Sequence, residues 1–198
     1  MLLGTDGRAT PQSGREVGRR GFLSFAAAAL ASMAAPALVT GGAAQAAPLA
    51  GGVRRIALYN INTLESFDGV YWADGAYKAD ALKRLDVLLR DHRAKQVCRF
   101  DPHLFDLLAR VQRVLDTNEP YRVVCGFRSR RTNAMARRRS RGVAKESYHT
   151  RGMAVDVALP GVELKAIAGA AKSLAAGGVG VYPASGFVHL DVGPVRTW

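Results

Sequence analysis

The sequence predicts a single α+β domain over residues 47–198, a mainly antiparallel sheet flanked by helices. Three observations lead there: amphipathic stretches of helical period, short apolar or alternating runs clustered late in the chain, and no regular strand–helix–strand repeat joining them. Residues 53–61 alternate imperfectly and read as the first strand. A second strand or hairpin covers Glu65 to Tyr77, turning at Ala73-Asp74-Gly75. From Ala79 to Arg90, Leu82, Leu85, Leu88 and Leu89 form one apolar stripe, as in a helix with one buried face. Asp101-Pro102 starts the next helix, with a carboxylate at the cap and proline in the first turn. Its apolar positions from Leu104 to Leu115 run on until Asn118-Glu119-Pro120. Tyr121 to Gly126 is a short buried strand. Thr132 to Arg139 is a basic helix, broken at Gly142. Met153 to Leu159 is a strand, and Val162 to Ala175 a helix stopped by Gly177-Gly178. Val179 to Tyr182 and Phe187 to Val192 are the closing strands, turned at Pro183-Ala184-Ser185-Gly186.

Ahead of this domain, residues 1–46 have the form of a targeting segment. Arg19-Arg20-Gly21-Phe22-Leu23-Ser24 matches a twin-arginine export signal, Phe25 to Val39 is apolar, and Ala44-Gln45-Ala46 offers a small-x-small cleavage site. A membrane anchor is the alternative. Ser32, Pro36, Gly41 and Gly42 interrupt the apolar stretch, however, whereas a spanning helix wants about 20 apolar residues. No cysteine lies near the cleavage site, so a lipoprotein is not expected. The expected address is the periplasm, reached through the twin-arginine translocase, with no stable membrane insertion after cleavage. That route carries proteins that have already folded.

The mature chain would keep 24 basic and 14 acidic residues, a net charge of +10. An exported basic protein is drawn to acidic polymers of the envelope. Nucleic acid is a poor partner outside the cytoplasm, and Arg137-Arg138-Arg139-Ser140-Arg141 reads as a solvated helix face. Cys98 and Cys125 suggest a disulfide in an oxidising compartment, yet Cys125 sits in an apolar run where a buried thiol is equally ordinary.

The chemistry concentrates in Ser147-x-His149-x-x-Gly152-x-Ala154-x-Asp156, followed by His189 in Phe187-Val188-His189-Leu190-Asp191. Two neutral imidazoles and a carboxylate can hold one zinc ion and leave a fourth position for water, the signature of a catalytic rather than a structural site. His149 and Asp156 are seven residues apart, so on one straight strand they would face opposite ways. Thr150-Arg151-Gly152 can turn the chain between them. If the strands of Asp156 and His189 are neighbours, the three ligands meet. Taken singly, a histidine is more often a surface residue, the reading preferred for His92 and His103.

Together with Leu58-Tyr59-Asn60, Val70-Tyr71-Trp72, Gly126-Phe127-Arg128-Ser129, Thr132-Asn133-Ala134, residues 177–183, residues 186–193 and Trp198, this block resembles the peptidoglycan-cutting zinc peptidases. These are the group of lysostaphin, the D-Ala-D-Ala metallopeptidases and the hedgehog fold. Within it the chain most closely resembles the murein endopeptidase K family, over residues 53–198. The resemblance implies one zinc per chain held by His149, Asp156 and His189, and peptide crosslinks of peptidoglycan as substrate. It also implies that Arg128 steadies the substrate carbonyl or its oxyanion, which a fixed guanidinium can do. The chain departs from the wider group at the general base. The positions three and two before His189, where relatives carry Glu, Asp or His, hold Gly186 and Phe187. Asp191 is the candidate base, with a role in orienting a ligand imidazole as the alternative, and Glu146 stands third. Two further readings stay open: a D,D- or L,D-carboxypeptidase that trims stem peptides, and a non-catalytic, zinc-stabilised murein-binding protein.

Overall fold

The computed structural model describes residues 52–140 and 142–198; the expected export signal lies outside them. The chain is an α+β domain built on one sheet. Its strands are β1 (Arg54–Asn60), β2 (Glu65–Ala73), β3 (Ala76–Tyr77), β4 (Tyr121–Cys125), β5 (Ala154–Ala158), β6 (Gly178–Tyr182), β7 (Phe187–Asp191) and β8 (Arg196–Thr197). The helices are α1 (Ala79–Leu88), α2 (His103–Val114), α3 (Arg130–Arg139) and α4 (Leu164–Ser173). Strand order is β3-β2-β1-β4-β5-β7-β6-β8. Among the described residues only β1–β4 and β6–β8 are parallel pairs, so the sheet is mainly antiparallel as expected.

Local chemistry accounts for the ends of these elements. Asp74 and Gly75 both take positive φ, 55° and 75°, and connect β2 to β3 as a two-residue turn whose twist matches the strands. The Asp101 carboxylate accepts the His103 backbone N–H, satisfying a donor left over at the start of α2. The third helix starts earlier than its sequence pattern suggested, at Arg130. Ser129 caps it, accepting the Thr132 N–H at 3.1 Å, an arrangement that stabilises a helix by about 1 kcal/mol. Strand β8 and a 3-10 turn at Tyr148–Arg151 were not anticipated. Two paired residues carry no periodicity to read.

One face of the sheet makes the core. Ile56, Leu58, Tyr121, Val123, Val155, Val157, Val188 and Leu190 pack there with the apolar sides of α1, α2 and α4, including Leu85, Phe105, Leu108 and Ile167. Because successive side chains alternate, Asp156 on β5 and His189 and Asp191 on β7 go to the opposite face. Cys125 has the parity of Tyr121 and Val123 and would join the core. A register shift between Val123 and Cys125 instead sets Cys125 opposite Asp156, the re-aiming that a β-bulge produces. Both cysteines are free thiols, so the disulfide left open by the sequence is not formed. No helix among the described residues is long and apolar enough to cross a membrane.

Candidate metal centre and its cleft

Asp156 and His189 are direct cross-strand partners in the antiparallel β5–β7 pair, which brings their side chains together. His149 comes from the 3-10 turn Tyr148–Arg151, which Gly152 ends with φ 67°. A side chain at Gly152 would also meet the Arg99 carbonyl at 2.4 Å. Backbone freedom at this one position therefore lets the chain fold back between His149 and Asp156.

The three groups converge tightly. His149 Nε2 lies 3.1 Å from Asp156 Oδ1 and 3.1 Å from His189 Nδ1, and His189 Nδ1 lies 2.9 Å from Asp156 Oδ1. His149 is fully buried. Its Nδ1 faces the Gly126 carbonyl at 2.7 Å, which can only accept, so Nδ1 carries the proton and Nε2 presents a lone pair. The Nε2 of His189 faces Asp191 Oδ2 at 2.9 Å, an acceptor that can take its proton and free Nδ1 to face a metal. In that tautomer, three acceptors face one another with their protons held elsewhere. Such a set calls for a cation. Donors about 2 Å from a tetrahedral zinc stand roughly 3.3 Å apart, close to the spacing found, so the residues fit a mononuclear zinc.

The protonation tendencies of the two imidazoles differ. Burial, resisted by Asp156, holds His149 below the usual imidazole range. Burial also disfavours charge on His189, but its hydrogen bonds to Asp156 and Asp191 outweigh it and raise its pKa. Asp156 stays ionised despite burial because both imidazoles hold it well below the usual carboxylate range. The Cys125 Sγ also approaches, with ligand atoms of Cys125, His149 and Asp156 all within 4.8 Å of one another. Burial, then Asp156, push that thiol up to about 12, so it is a neutral neighbour at pH 7. His189 is the closer third donor.

Asp191 sits behind His189 rather than in the cleft. It is fully buried and receives Arg196 at 3.0 and 2.7 Å and the backbone N–H groups of Gly178 and Gly193, besides His189. Trp198 covers the outer side of His189, ring centroids 5.3 Å apart, and donates to the Tyr182 hydroxyl at 2.7 Å. Room for it comes from Gly180, where a Cβ would lie 2.5 Å from the indole.

Arg128 is set by a stitched loop. Its backbone N–H donates to His149 O at 3.1 Å, Phe127 N–H donates to Leu89 O at 2.7 Å, and the guanidinium donates to Ser147 Oγ at 3.1 Å. Asp91, which carried no sequence signal, anchors the loop by accepting the Ser129 N–H at 2.9 Å. Burial opposes charge on Asp91, but its side-chain and backbone donors hold its pKa down at about 2. The centre opens into a cleft of about 370 Å³, bordered by Arg128, Glu146, Tyr182, Phe187, Arg196 and Trp198. Of the remaining histidines, His103 is exposed beside Asp101, and His92 lines a small cavity with Gly126 and Arg128.

A buried imidazole–carboxylate–imidazole triangle opening from an antiparallel sheet into a cleft defines a candidate metallohydrolase site. The chain belongs to the peptidoglycan L,D-endopeptidase MepK family of peptidases, whose model matches residues 48–198. A relative from Haemophilus influenzae, described as a probable peptidoglycan L,D-endopeptidase MepK, is 47% identical over 146 residues, covering 73% of this chain and 78% of its own. The peptidoglycan L,D-endopeptidase MepK of Escherichia coli K12 is 46% identical over 145 residues, covering 73% and 80%.

Proposed function

We propose that this chain is a zinc-dependent murein endopeptidase that cuts peptide crosslinks in peptidoglycan during wall remodelling. The observation that carries the metal reading is the triangle of His149 Nε2, His189 Nδ1 and Asp156 Oδ1, three acceptors 2.9–3.1 Å apart. The names of its relatives supply the substrate. His149, Asp156 and His189 would hold the zinc. When bound, the metal supplies a water activated at neutral pH and polarises the scissile carbonyl.

The chain's own groups do the rest. Arg128, steadied by Ser147 and bordering the cleft, stabilises negative charge developing on the carbonyl oxygen. Asp191 keeps the His189 proton on Nε2, so Nδ1 stays available as a donor to the metal. Of the two roles expected for Asp191, its burial supports this orienting one. Among the described residues bordering the cleft the carboxylates are Asp156 and Glu146. With Asp156 committed to the metal, Glu146 is left to carry the proton between the water and the leaving amine.

Product analysis of purified crosslinked muropeptide dimers tests the activity. Separation into two stem peptides is expected, whereas release of only a terminal amino acid would make the chain a carboxypeptidase. A murein-binding protein would bind the dimers and leave them intact. The basic, exported character is part of the same reading, with residues 1–46 as a twin-arginine signal. Replacing Arg19 and Arg20 by lysine is expected to leave precursor in the cytoplasm, and unchanged periplasmic yield would refute that route.

A further inference from the structure

A second hollow of about 430 Å³ also reaches Asp156, without Trp198 among its lining residues. It shares Arg128, Ser140, Val143, Asp156 and Phe187 with the first cleft, so the two form one groove that passes the metal centre. Its lining includes the apolar Val124, Met135 and Ala136 and the Cys125 thiol, and Met135 is 37% exposed on an otherwise strongly basic helix. Arg93 and Arg139 also line it. Of the arginines on α3, only Arg139 borders this hollow. Neither arginine has a carboxylate partner among the described residues, whereas Arg196 on the first side is committed to Asp191.

An apolar lining beside uncommitted guanidinium groups suits an aliphatic chain that carries a carboxylate. A diamino dicarboxylic acid, acylated through the amine at its far end, has that form. It keeps a free carboxylate next to the amide nitrogen, and its methylenes run onward from there. We propose that this hollow binds the amine-side half of the crosslink, with Arg93 and Arg139 as specificity-determining residues that recognise its free carboxylate. The inference rests on the peptidase reading above and adds a direction to it. The acyl half lies along Tyr182, Phe187 and Trp198, and the leaving half runs toward α3.

The test uses two crosslinked dimers that differ only in that carboxylate, free in one and converted to the primary amide in the other. Arg93→Ala and Arg139→Ala are each expected to raise KM for the carboxylate dimer about 10-fold, leaving kcat and zinc content unchanged. The amidated dimer should be bound weakly by the wild type and should respond to neither substitution. Arg93→Lys and Arg139→Lys should recover part of the loss on the carboxylate dimer alone. Equal losses on both dimers, or none on either, would overturn the assignment. Calorimetric binding of both dimers to the zinc-free wild type and alanine variants separates this proposal from the reading beneath it. If no dimer is cleaved, the peptidase reading fails. A carboxylate preference that vanishes in the alanine variants would still support the subsite, and equal binding would remove it.

Discussion

Replacing His149 or His189 by alanine is expected to strip the protein of zinc and to reduce crosslink cleavage to background, the two losses arriving together. Each imidazole has one nitrogen aimed at the shared point and the other held by a fixed partner, Gly126 O for His149 and Asp191 for His189. Two ligands rarely suffice where a catalytic zinc takes three from the protein. His149→Ala also leaves the buried Gly126 carbonyl without its partner, at a cost of about 1–3 kcal/mol. Thermal unfolding should therefore accompany the assay. His189 lies at the cleft wall, so His189→Ala is the cleaner variant. Metal analysis of the two variants and of their combination checks the assignment, and full zinc occupancy in the double variant would sink it.

Asp191→Asn has the second-largest expected effect. With Asp191 behind His189, the substitution weakens the hold on the Nε2 proton and sets an amide N–H₂ group among donors from Arg196, Gly178 and Gly193. Zinc affinity should fall about 10–100-fold, and activity should return when zinc is supplied in excess. Glu146→Gln should behave in the opposite way: zinc retained, rate reduced by roughly 10²–10⁴, and no recovery on adding metal. Zinc titrations of both variants against dimer cleavage decide between the roles. An Asp191→Asn enzyme that binds zinc normally yet stays slow would return the proton transfer to Asp191.

Much of this was legible in the chain because it is local. Alternation, the Leu82–Leu89 stripe and the Asp101 cap placed the elements to within a few residues, and the Ser147–Asp156 block with His189 singled out the residues that the fold brings together. What escaped depends on tertiary register. That Asp156 pairs directly with His189 follows from the β5–β7 alignment, which no local pattern encodes. The bulge that turns Cys125 out of the core has no mark in Val123-Val124-Cys125. The nitrogen of His189 that Asp191 meets depends on Arg196 and the backbone of Gly178 and Gly193 clamping the carboxylate. Asp91 looked like one charge in Arg90-Asp91-His92-Arg93, because the Ser129 N–H it satisfies lies far along the chain.

If one zinc on His149, Asp156 and His189 makes this chain a crosslink-cutting enzyme, zinc content and cleavage must rise and fall together. The most direct test measures zinc per chain and dimer cleavage on the same purified samples of residues 47–198, before chelation, after it, and after zinc is restored. One zinc per chain is predicted at the start, with cleavage lost on chelation and regained in proportion to the zinc returned. Cleavage that continues undiminished in protein shown to be free of metal would contradict it.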